Sequence, residues 1–330
     1  MMNKIFASLL MMLSLMSCDK DDDSIVIPES TSPTVKLNAT YEVTITEDII
    51  YAKGLSHDSW NSSNTNEVPL FMDSYVPVNN SQNRPLLMLI HGGAFTGGTK
   101  QQEALVEMAN YYAARGFVVF SIDYRLRDDA GTVPQEWIDY ISDIDPVNPN
   151  QIYAIYPAHR DAKAALRWIV SNADDYNVNT DYITVGGGSA GATTSIGIGV
   201  SDLGDFKDEL SLIEDYTLSS TNPSQTYEIK TILDFWGSDN SIEILELIYG
   251  YKRFNQNIPA MCIVHGTEDP TVPFSSAEDL KAIYELNNAE FIYYPLEGKG
   301  HGAWGATVDG KSLSDLSFDF IVDNQNLSVE

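Results

Sequence analysis

From residue 37 onward, apolar and polar positions fall into an alternating series of strand-like and helix-like segments. The stretches YEVTITEDIIYA (41–52) and PLFMDSYVP (69–77) mix apolar and polar positions and predict two early strands. RPLLMLIHGG (84–93) is different: a short unbroken apolar run closed by a glycine pair, as expected of a strand covered on both faces. FVVFSIDY (117–124), YITVGGGS (182–189), TILDFWG (231–237), PAMCIVHG (259–266) and EFIYYPLEG (290–298), each built around a short apolar run, are read as further strands. Between them, helices are predicted over roughly 100–115, along Ala162, Ala165, Leu166, Ile169 and Val170 with Asp161 near the start, and over 190–200, 276–288 and 312–324. Strands alternating with helices imply parallel pairing with helices on both faces. The expected fold class is therefore α/β: one doubly wound, mostly parallel sheet occupying 37–330. The stretch 126–158 carries Pro134, Pro146, Pro149 and Pro157 and reads as a long irregular insertion, a small cap or pocket wall without an amphipathic lid helix.

The first residues follow another pattern. MMNK is a short basic start, and 5–16 is an apolar run of about a dozen residues, too short to span a bilayer and suited to a signal-peptide core. It ends in Leu15-Met16-Ser17-Cys18, which resembles the lipobox of bacterial lipoproteins. That resemblance implies a signal peptide over 1–17, acylation of Cys18, and a protein exported and lipid-anchored to the cell envelope. The anchor would sit at the outer membrane and could be displayed at the surface. Residues 18–36, acidic and then rich in Pro, Ser and Thr, read as a tether. With Cys18 acylated, Cys262 is alone, and its apolar setting makes it a buried small hydrophobe.

The formal net charge of -28 argues against a nucleic-acid partner, because phosphate backbones require a basic surface. No His, Cys or Asp cluster has metal-ligand spacing, and neither a metal nor a cofactor is expected.

The candidate chemistry centres on VGGGSAGATTS (185–195). Gly187-Gly188-Ser189-Ala190-Gly191 fits G-x-S-x-G between a strand and a helix, a turn that exposes a serine hydroxyl. Two other readings compete. Ser189 suits a helix N-cap. Gly186, Gly188 and Gly191 satisfy the dinucleotide pattern G-x-G-x-x-G, but the acidic residues some twenty positions on, Asp208 and Glu209, lie in GDFKDELS, which is not a strand. The rest of the chain decides. A serine nucleophile needs a base, an orienting acid and oxyanion donors. Asp269 follows one apolar strand in IVHGTEDPTVP, and His301 follows the last strand in EGKGHGAW. The order Ser189, Asp269, His301 is that of the strand–turn–helix hydrolases. Of the five histidines, His57 and His159 precede the serine, and His91 and His265 sit before glycine turns and are read as loop braces. Upstream, His91-Gly92-Gly93-Ala94-Phe95 offers backbone donors at Gly92, Gly93 and Ala94, with Ala190 as the opposite donor. The aromatics Phe95, Trp137, Tyr153, Tyr156, Trp236 and Trp304 are pocket candidates, Phe95 and Trp304 foremost because each is close to a candidate catalytic group; Tyr124 and Arg125 in DYRL are read as structural supports.

HGGAF, SIDYRL, GGGSAGA, HGTEDPTVP and GHG, in this order over roughly 65–325, resemble the α/β-hydrolase superfamily, in particular the HGG-type esterase/lipase branch that includes carboxylesterases, hormone-sensitive-lipase-like esterases and acetyl-xylan or feruloyl esterases. The resemblance implies a serine carboxylic-ester hydrolase acting through an acyl-enzyme on a small-molecule or glycan ester, an acetyl ester among them. Two positions depart from the pattern: Ala94 stands where many members carry a third glycine, and Gly188 where a larger residue is frequent. A peptidase of the prolyl-oligopeptidase type and a non-catalytic binding lipoprotein are the alternatives.

Overall fold

A computed structural model describes residues 32–330 apart from 146 and 148. The signal peptide, Cys18 and most of the expected tether lie outside the described residues.

Eight strands form the main sheet: β1 (Val43–His57), β2 (Thr65–Pro77), β3 (Arg84–Ile90), β4 (Val118–Ile122), β5 (Val178–Gly188), β6 (Thr231–Phe235), β7 (Ala260–Gly266) and β8 (Phe291–Leu296). Their order across the sheet is β1-β2-β4-β3-β5-β6-β7-β8. The pairs β1–β2 and β2–β4 are antiparallel, and every later pair is parallel. Strands β3, β4, β6 and β7 are buried at every residue, which is why they read as largely apolar runs rather than alternating ones. Along β3, Leu86, Met88 and Ile90 enter one core and Leu87 and Leu89 the other, following the two-residue period of a strand.

Helices α1 (Glu103–Ala113), α2 (Gln135–Ile144), α3 (Ile155–Ser171), α4 (Ala190–Val200), α5 (Asn240–Tyr249), α6 (Ser275–Asn287) and α7 (Leu313–Gln325) cover the sheet. Leu105 of α1 and Leu316 of α7 share one core, while Ala162 of α3, Ile196 of α4 and Leu280 of α6 share the other. Helices therefore lie on both faces of the sheet, as the alternating pattern implies.

Three expectations change. The stretch 126–158 is not an irregular insertion: it contains α2 and a turn of helix at Asn150–Tyr153, and α3 already begins at Ile155. Pro134, Pro149 and Pro157 stand at helix starts. Pro134 and Pro149 are cap residues, and Pro157 lies in the first turn of α3, where a missing N–H removes no intrahelical bond. Helix α2 is amphipathic, burying Trp137 and Ile141. Asp161 is consequently not near a helix start but inside α3, fully buried against Arg125. Finally, the folded unit begins before residue 37. Thr34–Val35 pairs in parallel with Ser328–Val329, and Val35 is buried, so the end of the expected tether belongs to the domain.

Between α4 and β6 the chain runs through 201–230 with little regular structure beyond a short 3-10 turn at Tyr216–Ser220. Helix α3 holds this segment with three buried cations. Arg160 donates to Asp215 at 2.5 Å, Lys163 to the carbonyls of Asp202 and Asp205 at 2.5 and 2.9 Å, and Arg167 to the carbonyl of Thr221 at 2.7 Å. Their spacing along α3 places all three on one side of the helix.

Candidate active site

The parallel strands deliver four loops to their carboxyl ends, where open α/β sheets place their sites. The turn from β5 into α4 carries Ser189. Its backbone lies at φ 56° and ψ −123°, a conformation that non-glycine residues rarely adopt. Ser189 occupies the N-cap position of α4, yet its side chain makes no capping hydrogen bond, so the helix-cap reading fails. Its N–H donates to the carbonyl of Phe235 at 2.9 Å, which fixes the turn to β6. The tight geometry excludes larger neighbours: a β-carbon on Gly191 would meet the carbonyl oxygen of Ile90 at 2.0 Å. The dinucleotide reading fails as well. Asp208 and Glu209 are not at the end of a strand, and Glu209 accepts from the Tyr156 hydroxyl at 3.0 Å.

After β7, Asp269 is almost completely buried. Its Oδ1 accepts from the N–H groups of Thr271 and Val272 at 2.8 and 3.0 Å, and its Oδ2 accepts from His301 Nδ1 at 2.7 Å. Burial pushes the carboxyl pKa up, but the hydrogen bonds from His301 and the two backbone N–H groups outweigh it and hold the group below its ordinary value. A carboxylate only accepts, so the His301 proton sits on Nδ1 and Nε2 keeps its lone pair. Ser189 and His301 line one open cavity of about 270 Å³, together with Gly92, Gly93, Ala94 and Trp304.

The loop after β3 is held from beneath. His91 Nδ1 donates to the carbonyl of Gly92 at 2.7 Å, its ring stacks on Tyr124 at 4.3 Å, and the Tyr124 hydroxyl donates to the His91 carbonyl at 3.0 Å. Burial pushes the His91 pKa down, so it is a neutral brace. His265 has the same character: burial lowers its pKa, and Nε2 donates to the Val272 carbonyl at 3.0 Å, steadying the loop of Asp269. Ala94 stands at φ 54°, in the left-handed region that a glycine takes freely and an alanine only with strain. Among the described residues, the N–H groups of Gly93, Ala94 and Ala190 have no acceptor. Gly92 differs from the expected role, because its N–H is directed to Gln102 Oε1 at 3.4 Å.

Arg125 forms a buried ion pair with Asp161 at 2.6 Å and is a structural support, as is Tyr124. Phe95 is not in the cavity. It packs in the core beside Tyr124 and His159, with ring centroids 6.1 and 6.4 Å away. Trp304 and Trp236, both among the aromatic candidates, do line the cavity, and so do Gln102 and Thr271, which the sequence reading does not place there. Trp236 follows β6 at φ 50°, with its N–H donating to the Val264 carbonyl at 2.8 Å. Cys262 is buried, and burial raises its thiol pKa.

The sheet order and the constellation at its carboxyl edge define the α/β-hydrolase class. The BD-FAE family model matches residues 72–146 and 148–251, and the chain belongs to that family. It is similar to esterase LipC of Mycobacterium tuberculosis, 23% identical over 66% of this chain and 53% of the relative, and to esterase LipQ of the same organism, 23% identical over 72% and 55%. The chain thus spans about half the length of these curated relatives. Among solved structures, the apo form of Thermogutta terrifontis esterase 2 superposes with a TM-score of 0.59 at 22% identity, covering 88% of this chain and 97% of that one. A truncated carbohydrate esterase from gut microbiota does so at 0.55 and 21%, covering 90% and 100%. These likenesses show the same fold.

Proposed function

We propose that this protein is a serine carboxylic-ester hydrolase that works through an acyl-enzyme on short-acyl or carbohydrate-linked esters. The observation that carries the reading is the hydrogen-bonded pair Asp269–His301, 2.7 Å apart, opening on the cavity that Ser189 also lines. His301 Nε2 takes the proton of the Ser189 hydroxyl as its oxygen attacks the ester carbonyl carbon. The carbonyl π electrons move onto oxygen, where the N–H groups of Ala190 and of Gly93 or Ala94 receive the charge; such donors are worth several kcal/mol in acyl transfer. Asp269 keeps the imidazole in the productive tautomer and stabilises the imidazolium. The carbon–oxygen bond to the alcohol breaks, and His301 gives its proton to the leaving oxygen. Water, deprotonated by the same Nε2, then attacks the acyl-serine and releases the acid.

The test is turnover of p-nitrophenyl esters from acetate to octanoate by the full chain, beside Ser189→Ala. Serine-dependent turnover that falls with acyl length is expected. Activity retained in Ser189→Ala would overturn the assignment. Cleavage of a dipeptide anilide in preference to every ester would favour the peptidase alternative. Failure of a fluorophosphonate to label Ser189 stoichiometrically would favour a binding role. From the lipobox-like sequence, the enzyme is carried to the cell envelope and anchored through acylated Cys18. Cys18→Ala should then release it from the membrane fraction.

A further inference from the structure

Ser189 is kept in its rare backbone conformation by something other than its own side chain, which makes no capping hydrogen bond. The adjacent strand supplies the hold. Asp234 of β6 is fully buried and pairs in register with Gly187 of β5. Along β6, Ile232 enters the core that Ile196 of α4 shares, while Leu233 and Phe235 enter the other. By the two-residue period of a strand, the Asp234 side chain lies on the α4 face. Its Oδ1 accepts from the Gly237 N–H at 2.7 Å and closes the turn that follows the strand. Its Oδ2 has no partner among the described residues. The titratable groups that feel its charge are Asp239 at the start of α5, Cys262 of β7 and Tyr284 of α6, none of them a cation. A carboxylate here would be an uncompensated buried ion, so the site accommodates the un-ionised acid. Burial pushes the pKa up to about 7, and the un-ionised form is lost as pH rises through that value.

The turn closed by Asp234 is also the seat of the nucleophile. The Phe235 carbonyl accepts the Ser189 N–H at 2.9 Å. The Ser238 N–H donates to Thr193 Oγ1 at 3.1 Å, one turn into α4. Gly237 is wedged between the carboxyl and the helix: a β-carbon on it would lie 2.6 Å from Ala192 Cβ, 2.8 Å from Asp234 Oδ1 and 2.9 Å from the Thr193 nitrogen. Trp236, in the same turn, lines the cavity and stands 6.3 Å from the His301 ring. Phe235, Trp236, Gly237 and Ser238 thus form one short turn, closed at its base by the carboxyl and joined at two points to the start of α4. We propose that Asp234, as the un-ionised acid, is a positioning residue for Ser189: it sets the 235–238 turn, which fixes the serine N–H and the first turn of α4, and with them the Ala190 donor. This rests on the hydrolase reading and adds to it a group that touches no substrate.

The experiment compares the full chain with Asp234→Asn and Asp234→Leu on p-nitrophenyl acetate. Asn keeps an acceptor for Gly237 and stays neutral; Leu keeps the shape and loses the acceptor. At pH 6, Asp234→Leu is expected to lose about tenfold or more in kcat with KM changed far less, and Asp234→Asn to stay within about threefold of the native chain. The ratio of native to Asp234→Asn kcat/KM should fall as pH rises from 6 to 9, because His301 is common to both and only the native chain carries the buried carboxyl. Hydrogen exchange over 186–193, followed by mass spectrometry, reads the seat without turnover. It should quicken in Asp234→Leu and not in Asp234→Asn. An Asn variant as impaired as Leu, or a ratio that stays level or rises with pH, would overturn the proposal. Should Asp234→Leu fail to fold, Asp234→Asn and its pH ratio decide. Selective loosening of 186–193 in Asp234→Leu, with no ester turned over by the native chain, would support the seat and remove the hydrolase reading alone. Native kcat and native exchange in Asp234→Leu would remove the seat alone.

Discussion

Gly188 and Trp304 are fitted to each other. The indole edge occupies the volume a side chain at Gly188 would need, since a β-carbon there would lie 2.5 Å from Trp304 Cζ2. The absence of a larger residue before Ser189 is thus explained by a group more than a hundred residues away in the chain. Gly188→Ala should displace Trp304, a wall of the cavity that Ser189 lines, and lower kcat/KM on p-nitrophenyl acetate by about tenfold or more. In Gly188→Ala/Trp304→Phe, the smaller ring should recover part of that loss. Steady-state kinetics on the two variants checks this, and a double variant weaker than Gly188→Ala would refute the steric coupling.

The hydrogen bond between His301 and Asp269 predicts a tautomer effect. Asn at 269 retains the size of the side chain, but its amide can face His301 Nδ1 with N–H instead of oxygen. The proton then moves to Nε2, and the base is lost. Asp269→Asn should lower kcat by about 10³–10⁴-fold with KM changed far less. A loss below tenfold would mean that another group orients His301.

The sequence made this constellation legible because its members sit in short runs with fixed neighbours: glycines around Ser189, a buried strand before Asp269, glycines around His301. The sheet was legible for a related reason, since β3, β4, β6 and β7 are buried at every residue and are mostly apolar, with isolated polar residues such as Ser121 and Asp234. What was not legible depends on three-dimensional proximity. Phe95 is two residues from Gly93 yet its side chain turns into the core, because the left-handed backbone at Ala94 and Phe95 redirects the chain. Trp236 is distant in sequence from His301 and reaches it only through strand order. The prolines of 126–158 misled because proline both breaks helices and begins them, and pattern alone did not separate the two.

The buried pair Arg125–Asp161 is strongly connected: besides the 2.6 Å contact, Arg125 Nε donates to Asp161 at 2.8 Å and Nη1 to the Leu55 carbonyl at 2.9 Å. Removing only the carboxylate leaves a buried guanidinium without its counter-charge. Asp161→Ala should destabilise by about 3–5 kcal/mol, and Arg125→Met/Asp161→Leu by less than Asp161→Ala alone. Urea denaturation of the three proteins decides it, and a double variant less stable than Asp161→Ala would contradict the argument.

Asp234, in the middle of buried β6, has one oxygen accepting from the Gly237 N–H at 2.7 Å and the other without a partner among the described residues. Burial pushes its pKa from 3.8 up to about 7. A carboxyl with a raised pKa contributes stability that is full below its unfolded value and is lost as pH rises towards the folded value. The stability of the native chain relative to Asp234→Asn should therefore fall between about pH 4 and pH 7, by on the order of a few kcal/mol, and level off above. Parallel denaturation curves at pH 4, 5.5, 7 and 8 measure it. A difference that is flat across this range, or that grows with pH, would show that Asp234 is ionised in the fold.

The three cations that α3 sends into 201–230 have a bearing on how this scaffold could be changed. A surface segment is ordinarily the easiest part of a domain to exchange, since its own side chains keep it in shape. Here the shape is dictated from another part of the chain, by Arg160, Lys163 and Arg167 reaching carbonyls and a carboxylate that the segment supplies. A foreign segment grafted between α4 and β6 would leave those charges stranded in the interior. Transplants here have to move helix and segment together, as a single inherited cassette.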